Sequence, residues 1–298
     1  CQVPFPGHPD ILVSLFSKTQ QLYIDVKGPM GSFIPVLPAE DAPRILKGTI
    51  REIAEIDSAM EDRFFAIHCR YFENTARDIF LRHLREKEKV IVLEDRAGVI
   101  QGFSTLKVLA VNAGQQTLYA LFSGDTIIEQ DYWRSPELVR IFTCFAGQLK
   151  KKLGAETALY WFLISKGYKT YRFLPVYARR FYPTYRESCP GKEKHILDTF
   201  ARTLYPEEYN PETGLITLQQ PIGNLRAGTA EISEQRMRDA DIRFFSQANP
   251  DHMKGVELAC ITELSAANLR SIALRYFLLG WNGGHDHAQC GRDLPCSA

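Results

Sequence analysis

Apolar residues recur every three or four positions along residues 42–87, which predicts one amphipathic helix or two in succession. The first set has seven members: Ile50, Ile53, Ile56, Met60, Phe64, Ile67 and Tyr71. Such spacing places the apolar side chains on one face of a helix. Ala76, Ile79, Phe80 and Leu84 continue the pattern. We therefore expect the first regular elements of this region to be helical.

The apolar period changes to that of β-strands after residue 88. Lys89–Glu94 is rich in β-branched residues, and residues 99–106 form a second run across a turn at 95–98, so the two predict a hairpin. Residues 117–128 predict a longer strand. Its interruption by Ser123, Gly124 and Asp125 indicates a bulge or a close backbone approach.

A second helix and a further strand follow. Ser135 and Pro136 predict a helix N-cap and first position, and the amphipathic pattern continues over residues 138–152. Residues 158–164 predict an apolar strand, and residues 173–182 a mainly helical segment. The order of helix, hairpin, strand, helix, strand and helix predicts an α/β layout with a mixed sheet.

The pattern divides the chain into three parts. Residues 1–45 are rich in Pro and Gly and predict an irregular segment with short strands at 21–26 and 32–36. Residues 46–188 carry the α/β layout. Residues 189–298 predict a mainly helical C-terminal extension that ends in a polar tail.

Composition narrows the class of protein. With 45% hydrophobic and 24% charged residues among 298, the chain is typical of globular proteins, which excludes a disordered or collagen-like protein. The 36 Lys and Arg against 35 Asp and Glu disfavour a nucleic-acid partner. Seven scattered cysteines do not predict a disulfide framework, so we expect reduced thiols and a cytoplasmic location. We predict no signal peptide and no membrane span, because no apolar run approaches ~20 residues.

Three stretches resemble, in chain order, the GCN5-related N-acetyltransferase (GNAT) superfamily. Residues 90–103 read VIVLEDRAGVIQGF and resemble the second and third strands, which lead to a Gly-Phe step. Residues 127–138 read IIEQDYWRSPEL and resemble the passage from the central strand into the cofactor-binding helix. Residues 177–182 resemble the late helix with its Ala-x-x-Phe-Tyr pattern. The resemblance covers residues 50–186.

The resemblance implies a fold and an activity. The fold is α/β (α+β), with a mixed, mainly antiparallel central sheet flanked by helices. The activity is N-acyl transfer from a thioester, either acyl-CoA or an acyl-carrier protein, to an amine of a small molecule or peptide. In this family a bulged central strand and a splayed neighbour leave backbone groups for the pantetheine arm. The residues implied for the donor are Phe122, Ser123, Gly124, Thr126, Trp133, Arg134, Ser135 and Trp161.

One departure from the family affects the expected donor. The family's phosphate loop usually reads Arg/Gln-x-x-Gly-x-Gly/Ala, whereas residues 132–137 read YWRSPE and contain no glycine. Pro136 also lacks an N–H to donate. We therefore expect weak coenzyme A binding, and a donor with one phosphate, such as an acyl chain on the phosphopantetheine of an acidic carrier protein. Family members that make N-acyl amino acids or acyl-homoserine lactones resemble this situation.

Acyl transfer to an amine needs a base and a proton donor for the departing thiolate. The first candidate base is Glu129 and the second is Asp125; the alternative is that each is a solvated turn carboxylate. Tyr182 matches the family's late tyrosine and is the candidate acid, with Tyr177 or Tyr185 as substitutes and plain core packing as the alternative. The sequence predicts His68 to be a core histidine.

Basic residues are frequent between residues 150 and 186. They predict either a solvated face or a dock for an acidic carrier or the donor's phosphate. His285, His287, Cys290 and Cys296 in the tail match no known zinc spacing, so no metal is expected.

Two alternative functions remain open at this stage. One is a catalytically silent GNAT-like module that binds an acyl chain, a carrier or a protein partner. The other is an enzyme of this fold with different thioester chemistry, such as decarboxylation.

Overall fold

The computed structural model divides the chain into two units, residues 1–44 and 45–298. In the first it describes the backbone of four strands; in the second it describes residues 45–114, 116–187, 191–219, 223–229 and 231–283. His285, His287, Cys290 and Cys296 of the tail lie outside the described residues.

The first unit is a four-stranded antiparallel sheet in sequence order. Its strands are β1 (Gln2–Phe5), β2 (His8–Lys18), β3 (Gln21–Lys27) and β4 (Phe33–Val36). The two predicted short strands are confirmed. The prediction of an otherwise irregular segment is wrong, because residues 8–18 form the longest strand of this unit despite the nearby prolines.

The second unit is built on a mixed central sheet. Its strands run in the order β12, β13, β15, β11, β9, β8, β7, β5, with β10 paired to β8. The ranges are β5 (Lys47–Glu52), β6 (Phe72–Glu73), β7 (Lys89–Glu94), β8 (Ile100–Ala113), β9 (Gln116–Ser123), β10 (Ile127–Ile128), β11 (Leu159–Ser165), β12 (Tyr209–Asn210), β13 (Leu215–Ile216), β14 (Asn224–Leu225) and β15 (Glu257–Glu263). Only β9 and β11 pair in parallel within this described sheet. The small strands β6 and β14 pair separately.

Eight helices accompany these strands in the described residues. They are α1 (Ser58–Tyr71), α2 (Arg77–Arg85), α3 (Glu137–Leu153), α4 (Tyr168–Tyr171), α5 (Phe173–Tyr177), α6 (Gly191–Leu204), α7 (Ala240–Ala248) and α8 (Ser271–Trp281). None of the described helices is long and apolar enough to cross a bilayer. The sheet and its helices confirm the predicted α/β (α+β) class with a mainly antiparallel central sheet.

Alternate residues of each central strand face different helices. In β11, Leu159, Trp161 and Leu163 pack into the core with α3, α7 and α8, whereas Tyr160 and Phe162 face α6. The same period of two in β7 divides its apolar side chains between α3 on one face and α1 with α2 on the other. The sheet is therefore buried on both faces.

Two glycines allow α3 and α8 to lie backbone against backbone. A Cβ on Gly147 would overlap the carbonyl of Phe277, and a Cβ on Gly280 would overlap that of Cys144. Any larger residue at either position would force the helices apart. The α3–α8 pair covers the face of the sheet opposite the one that packs against α1, α2 and α6.

Several element predictions need correction. Residues 47–52, predicted as the start of a helix, form β5, which pairs with β7 at the sheet edge. Pro136 is the N-cap of α3, one residue later than predicted, and the late helical segment ends at Tyr177. The C-terminal segment contributes β15 between its helices, because a short, fully buried apolar run does not reveal its period. The boundary at residues 188 and 189 stays a prediction.

Candidate active site

The central strand is bulged where the sequence predicts. Ser123 of β9 lies opposite Leu106 of β8, and Ile127 of β10 lies opposite Phe103. Three residues, 124–126, therefore face two, 104–105, which is a β-bulge. The Gly124 N–H still donates to the Thr105 carbonyl at 3.0 Å. The predicted interruption at residues 123–125 is confirmed.

The neighbouring strand separates later than predicted. β11 pairs in parallel with β9 from Leu159 through Leu163, the last opposite Ser123. The Trp161 indole Nε1 also donates to Ser123 Oγ at 2.8 Å. The prediction that the neighbouring strand splays from Ser123 beside Trp161 is therefore wrong. Backbone pairing and a side-chain hydrogen bond hold the two strands together there. The two chains part only beyond Ser123 and Leu163.

A cleft of about 510 Å³ lies beyond that point; we call it the basic cleft. Its walls come from the loop before α3, from α4 and α5, and from Arg236. It contains four cationic residues: Lys166, Lys169, Arg172 and Arg236. No Asp or Glu of the described chain lines it. The cleft therefore favours an anionic ligand.

A second cleft, of about 290 Å³, has the opposite character; we call it the acidic cleft. Its carboxylates come from four separate segments: Glu86, Asp125, Glu208 and Glu257. Lys87 and Lys166 are its cations, and burial lowers the pKa of His83, which favours the neutral ring. His68, buried as predicted, also lines it. An ammonium group suits this cleft better than an anion.

The two clefts meet at the bulge. The residues common to both linings are Phe72, Thr126, Ile127, Lys166 and Thr170. Thr126 is fixed there by a hydrogen bond with Ser104 Oγ at 2.7 Å and by one to the Gly124 carbonyl at 3.0 Å. The two clefts therefore adjoin at the point after Ser123 where β9 and β11 part, and we call this point the opening.

A small apolar chamber of about 30 Å³ opens beside this junction. It is lined by Ser104, Ser123, Thr126, Leu138, Val139, Phe142, Thr143, Trp161, Thr170, Phe173, Tyr177, Leu264 and Leu269. Its size corresponds to about two water-sized groups. The chamber can hold a short apolar group.

The acidic cleft contains a buried carboxyl that the sequence analysis missed. Glu257 begins β15, and its Oε1 lies 3.5 Å from Nζ of Lys166. Burial raises the pKa of this carboxyl, against the opposing effect of Lys166. Burial and the surrounding carboxylates also keep the pKa of Tyr205 well above its usual value. A carboxyl of raised pKa is a suitable proton acceptor near neutral pH.

The first candidate base, Glu129, is fully engaged elsewhere. Its Oε1 accepts from Arg70 at 2.7 Å and its Oε2 accepts from the Tyr71 hydroxyl at 3.0 Å. Burial, and secondarily the hydrogen bond to the Glu129 carboxylate, raise the pKa of Tyr71 to about 12. Glu129 lines neither cleft. Its geometry is that of a structural tie between α1 and the loop before α3.

Tyr182, the candidate acid, lies away from the clefts. Its backbone bridges to Ile261 of β15, and its ring packs in the core that faces α6. Tyr177, one of the predicted substitutes, does line the basic cleft and the chamber. Burial raises the pKa of Tyr177, so its hydroxyl stays protonated. The other substitute, Tyr185, is half-exposed. The structure brings Asp125 and Tyr177 to the junction region, and not Glu129 or Tyr182.

The loop before α3 uses its own amides internally. The N–H groups of Tyr132, Trp133 and Ser135 donate to carbonyls within the loop. The Gln130 N–H donates to the Tyr71 hydroxyl, and the Glu129 N–H to a carbonyl of β8. With Pro136 lacking an N–H, this loop does not form an anion-binding nest like that of the family's glycine loop.

The start of α3 is also occupied. The Glu137 carboxylate accepts from the Gly48 N–H at 2.6 Å and pairs with Arg140. The Glu137 carboxylate therefore occupies the positive end of the helix, and Arg140 balances its charge. The expectation of a poor phosphate loop therefore agrees with the geometry.

The predicted donor residues are dispersed around the two clefts. Phe122, Ser123 and Gly124 line the acidic cleft, Trp133 and Ser135 line the basic cleft, and Thr126 lines both. Trp161 reaches only the chamber, and Arg134 is exposed and lines none of them.

The residues that the sequence missed are Arg236, Thr170 and Glu257. Lys166, Lys169 and Arg172 belong to the basic stretch for which the sequence offered a phosphate dock as one of two interpretations. No local pattern marks Arg236 or Glu257. Within the described part of the chain, no three His, Cys, Asp or Glu side chains cluster in a way that could hold a metal.

No protein-family model matches the sequence, and no curated protein matches it significantly. Solved structures show partial similarity. A probable N-acyltransferase from Enterococcus faecalis V583 is 15% identical with a TM-score of 0.33, over 45% of this chain and 33% of that one. A GNAT family N-acetyltransferase from Escherichia coli, in complex with CoA, is 20% identical with a TM-score of 0.31, over 43% and 68%.

Glucosamine-6-phosphate N-acetyltransferase from Arabidopsis thaliana is 13% identical with a TM-score of 0.27, over 39% of this chain and 81% of that one. The similarity is to GNAT N-acetyltransferases, and the narrower likeness to acyl-homoserine lactone synthases stays a prediction. At these identities and TM-scores the similarity assigns no activity. The function of this chain therefore rests on its own residues.

Proposed function

We propose that this protein is an N-acyltransferase that binds a thioester donor in the basic cleft and an amine acceptor in the acidic cleft. The observation that carries the proposal is the meeting of two oppositely charged clefts at Thr126, Ile127 and Thr170. A donor such as acyl-CoA carries phosphates, and an acceptor amine is an ammonium ion at neutral pH, so each substrate matches the charge of its cleft.

The reaction forms a C–N bond and breaks the C–S bond of the thioester. The ammonium first loses a proton, for which Glu257 and Asp125 are the available carboxylates. The free amine then attacks the carbonyl carbon, and the thiolate leaves. The second proton from nitrogen passes directly to the thiolate sulfur, or it passes to solvent while the Tyr177 hydroxyl protonates the sulfur and solvent reprotonates Tyr177. Holding both substrates at one opening supplies the proximity on which such catalysis depends.

The acyl group is short in this proposal. The chamber beside the junction has room for about two heavy-atom groups, which suits an acetyl or propionyl chain. The four cations of the basic cleft favour acyl-CoA, with its several phosphates, over a carrier-bound donor with one. The carrier protein remains the alternative donor. The segment after residue 189 contributes Tyr205, Glu208 and Glu257, which supports a role for it in the acceptor site.

The test is a donor and acceptor panel. Purified protein is incubated with acetyl-CoA, propionyl-CoA, octanoyl-CoA and an acyl-carrier protein, each with a set of primary amines. Thiol release is followed with a thiol reagent, and the products are identified by mass spectrometry. We expect thiol release to depend on amine and to give an N-acetylated or N-propionylated product.

Two outcomes would contradict the proposal. Thiol release without a new amide would indicate other thioester chemistry. Donor binding without turnover in the presence of any amine would indicate the catalytically silent binding module. The loop before α3, whose amides donate to acceptors within the protein, favours that alternative.

A further inference from the structure

We propose that the phosphates of a CoA-type donor are held by the side chains of Lys169, Arg172 and Arg236, which line the basic cleft. In this chain these cations replace the backbone amides of a glycine loop. The inference rests on the proposed function, because it concerns the donor of that same site.

The first step is the loss of the usual binding surface. Five amides of the α3 loop, those of residues 129, 130, 132, 133 and 135, donate to partners within the protein, and Pro136 has none. A phosphate at this loop would therefore find few donors. The phosphates of any donor that lies in the cleft must therefore be bound by another surface.

The second step is the arrangement of cations across the cleft. Lys169 and Arg236 both line it, and neither has a carboxylate within ion-pairing distance among the residues that the structure describes. Burial, and secondarily the charge of Arg236, lower the pKa of Lys169. Lys169, which is partly buried, and Arg236, which is exposed, repel one another, so an anion bound between them would stabilise both charges.

The third step concerns what these groups contact now. Lys169 Nζ donates to the Thr229 carbonyl at 3.0 Å and lies 3.6 Å from the ring centre of Trp133. Arg172 pairs with Asp239 at 3.4 Å through one terminal nitrogen, while its buried Nε has no hydrogen-bond acceptor within the described structure. Lys169 and the terminal nitrogens of Arg172 therefore retain N–H groups that can donate to a phosphate oxygen.

The experiment compares two pairs of ligands, each pair differing by one phosphate: CoA with dephospho-CoA, and 4′-phosphopantetheine with pantetheine. Calorimetry measures the affinity of the intact protein for CoA, dephospho-CoA, 4′-phosphopantetheine and pantetheine. We expect the affinity of the wild-type protein to fall as phosphates are removed. Lys169→Gln and Arg236→Gln should each weaken CoA binding about tenfold or more, as expected for loss of a charge-assisted contact, with pantetheine binding unchanged.

Matched controls separate this from a general charge effect. Arg238→Gln removes an exposed cation two residues from Arg236, and Arg134→Gln removes the exposed cation of the α3 loop. Both should bind CoA as the wild-type protein does. Thermal melting of every variant confirms that it is folded.

The outcomes are distinguishable from failure of the proposed function. If CoA and pantetheine bind equally, or if Arg134→Gln weakens CoA binding while Lys169→Gln does not, the phosphate assignment is wrong and the acyltransferase proposal stands. If neither CoA nor pantetheine binds to the wild-type protein, both proposals are wrong.

Discussion

The basic and the acidic cleft share one opening but are built differently. Three of the four cations of the basic cleft lie within seven residues of one another, at Lys166, Lys169 and Arg172. The carboxylates of the acidic cleft come from the end of α2, from the bulge, from the loop after α6 and from β15. The positive charge of the basic cleft thus comes mainly from one short segment of the sequence, whereas the negative charge of the acidic cleft is assembled by tertiary folding. In the proposed function, these opposite charges would orient the donor and the acceptor before they meet.

Glu257→Gln tests the acidic cleft and should have the largest effect. Loss of the proposed proton acceptor should lower kcat about 100-fold or more, with the CoA dissociation constant unchanged. Steady-state kinetics and calorimetry measure the two quantities. Glu207→Gln, an exposed neighbour of Glu208, is the control. Wild-type kcat in a folded Glu257→Gln protein would remove this residue from the mechanism.

The pH profile sharpens the same test. The carboxyl accepts a proton only when ionised, so activity should rise with pH through the pKa of Glu257. Because burial raises that pKa, the rise should lie at higher pH than for an ordinary glutamate. The residual activity of Glu257→Gln should lack this rise with pH.

Thr170→Leu tests the junction and should have the next largest effect. A longer apolar side chain would narrow the opening that both clefts share, which displaces the amine from the thioester. We expect kcat to fall roughly 10- to 100-fold, since small displacements of reacting groups have effects of that size. Thr203→Leu, on the exposed side of α6, is the control in the same kinetic assay. Equal kcat values for the two variants would mean that substrates do not meet at this opening.

Val139→Ala tests the chamber. The change removes two methyl groups from the wall and keeps a good helix former in α3. We expect the ratio of kcat/KM for butyryl-CoA to that for acetyl-CoA to rise about tenfold. Competition between the two thioesters, read by mass spectrometry, gives the ratio. An unchanged ratio would place the acyl group elsewhere.

Glu129→Gln should have the smallest effect on rate. Its carboxylate already bonds Arg70 and Tyr71, so we expect kcat to stay within about threefold, or roughly 0.6 kcal/mol. Stability should fall by about 1 kcal/mol, with the exposure of Arg70 limiting the loss. Chemical denaturation and kinetics measure the two. A large loss of kcat with unaltered stability would restore Glu129 as the base.

The fold was predictable wherever the signal is local. The hairpin of β7 and β8, the bulge at residues 123–125 and the end of α3 follow from strand composition, turn residues and helix-ending signals. β15 was not, because a seven-residue buried run carries no visible period and its partner β11 is about a hundred residues away.

The site was predictable only in part, for a related reason. The bulge gave Ser123, Gly124, Asp125 and Thr126, all of which line a cleft. Glu129 and Tyr182 were predicted from their positions in a motif. A motif does not show that the Glu129 carboxylate is hydrogen-bonded to Arg70 and Tyr71, or that the Tyr182 ring faces α6. Glu257 and Arg236 reach the clefts through tertiary folding alone.

The hydrogen bond between Trp161 and Ser123 determines how the opening can respond to substrates. It ties β11 to β9 near the end of their pairing, which stops at Leu163 and Ser123, three positions before Thr126. Strand rises about 3.3 Å per residue, so the free length on which a bulky molecule could act is only about 10 Å. The aperture therefore has a nearly constant width. Selection between acceptors should follow their dimensions near the nitrogen, while the remainder of each molecule, projecting toward solvent, is tolerated.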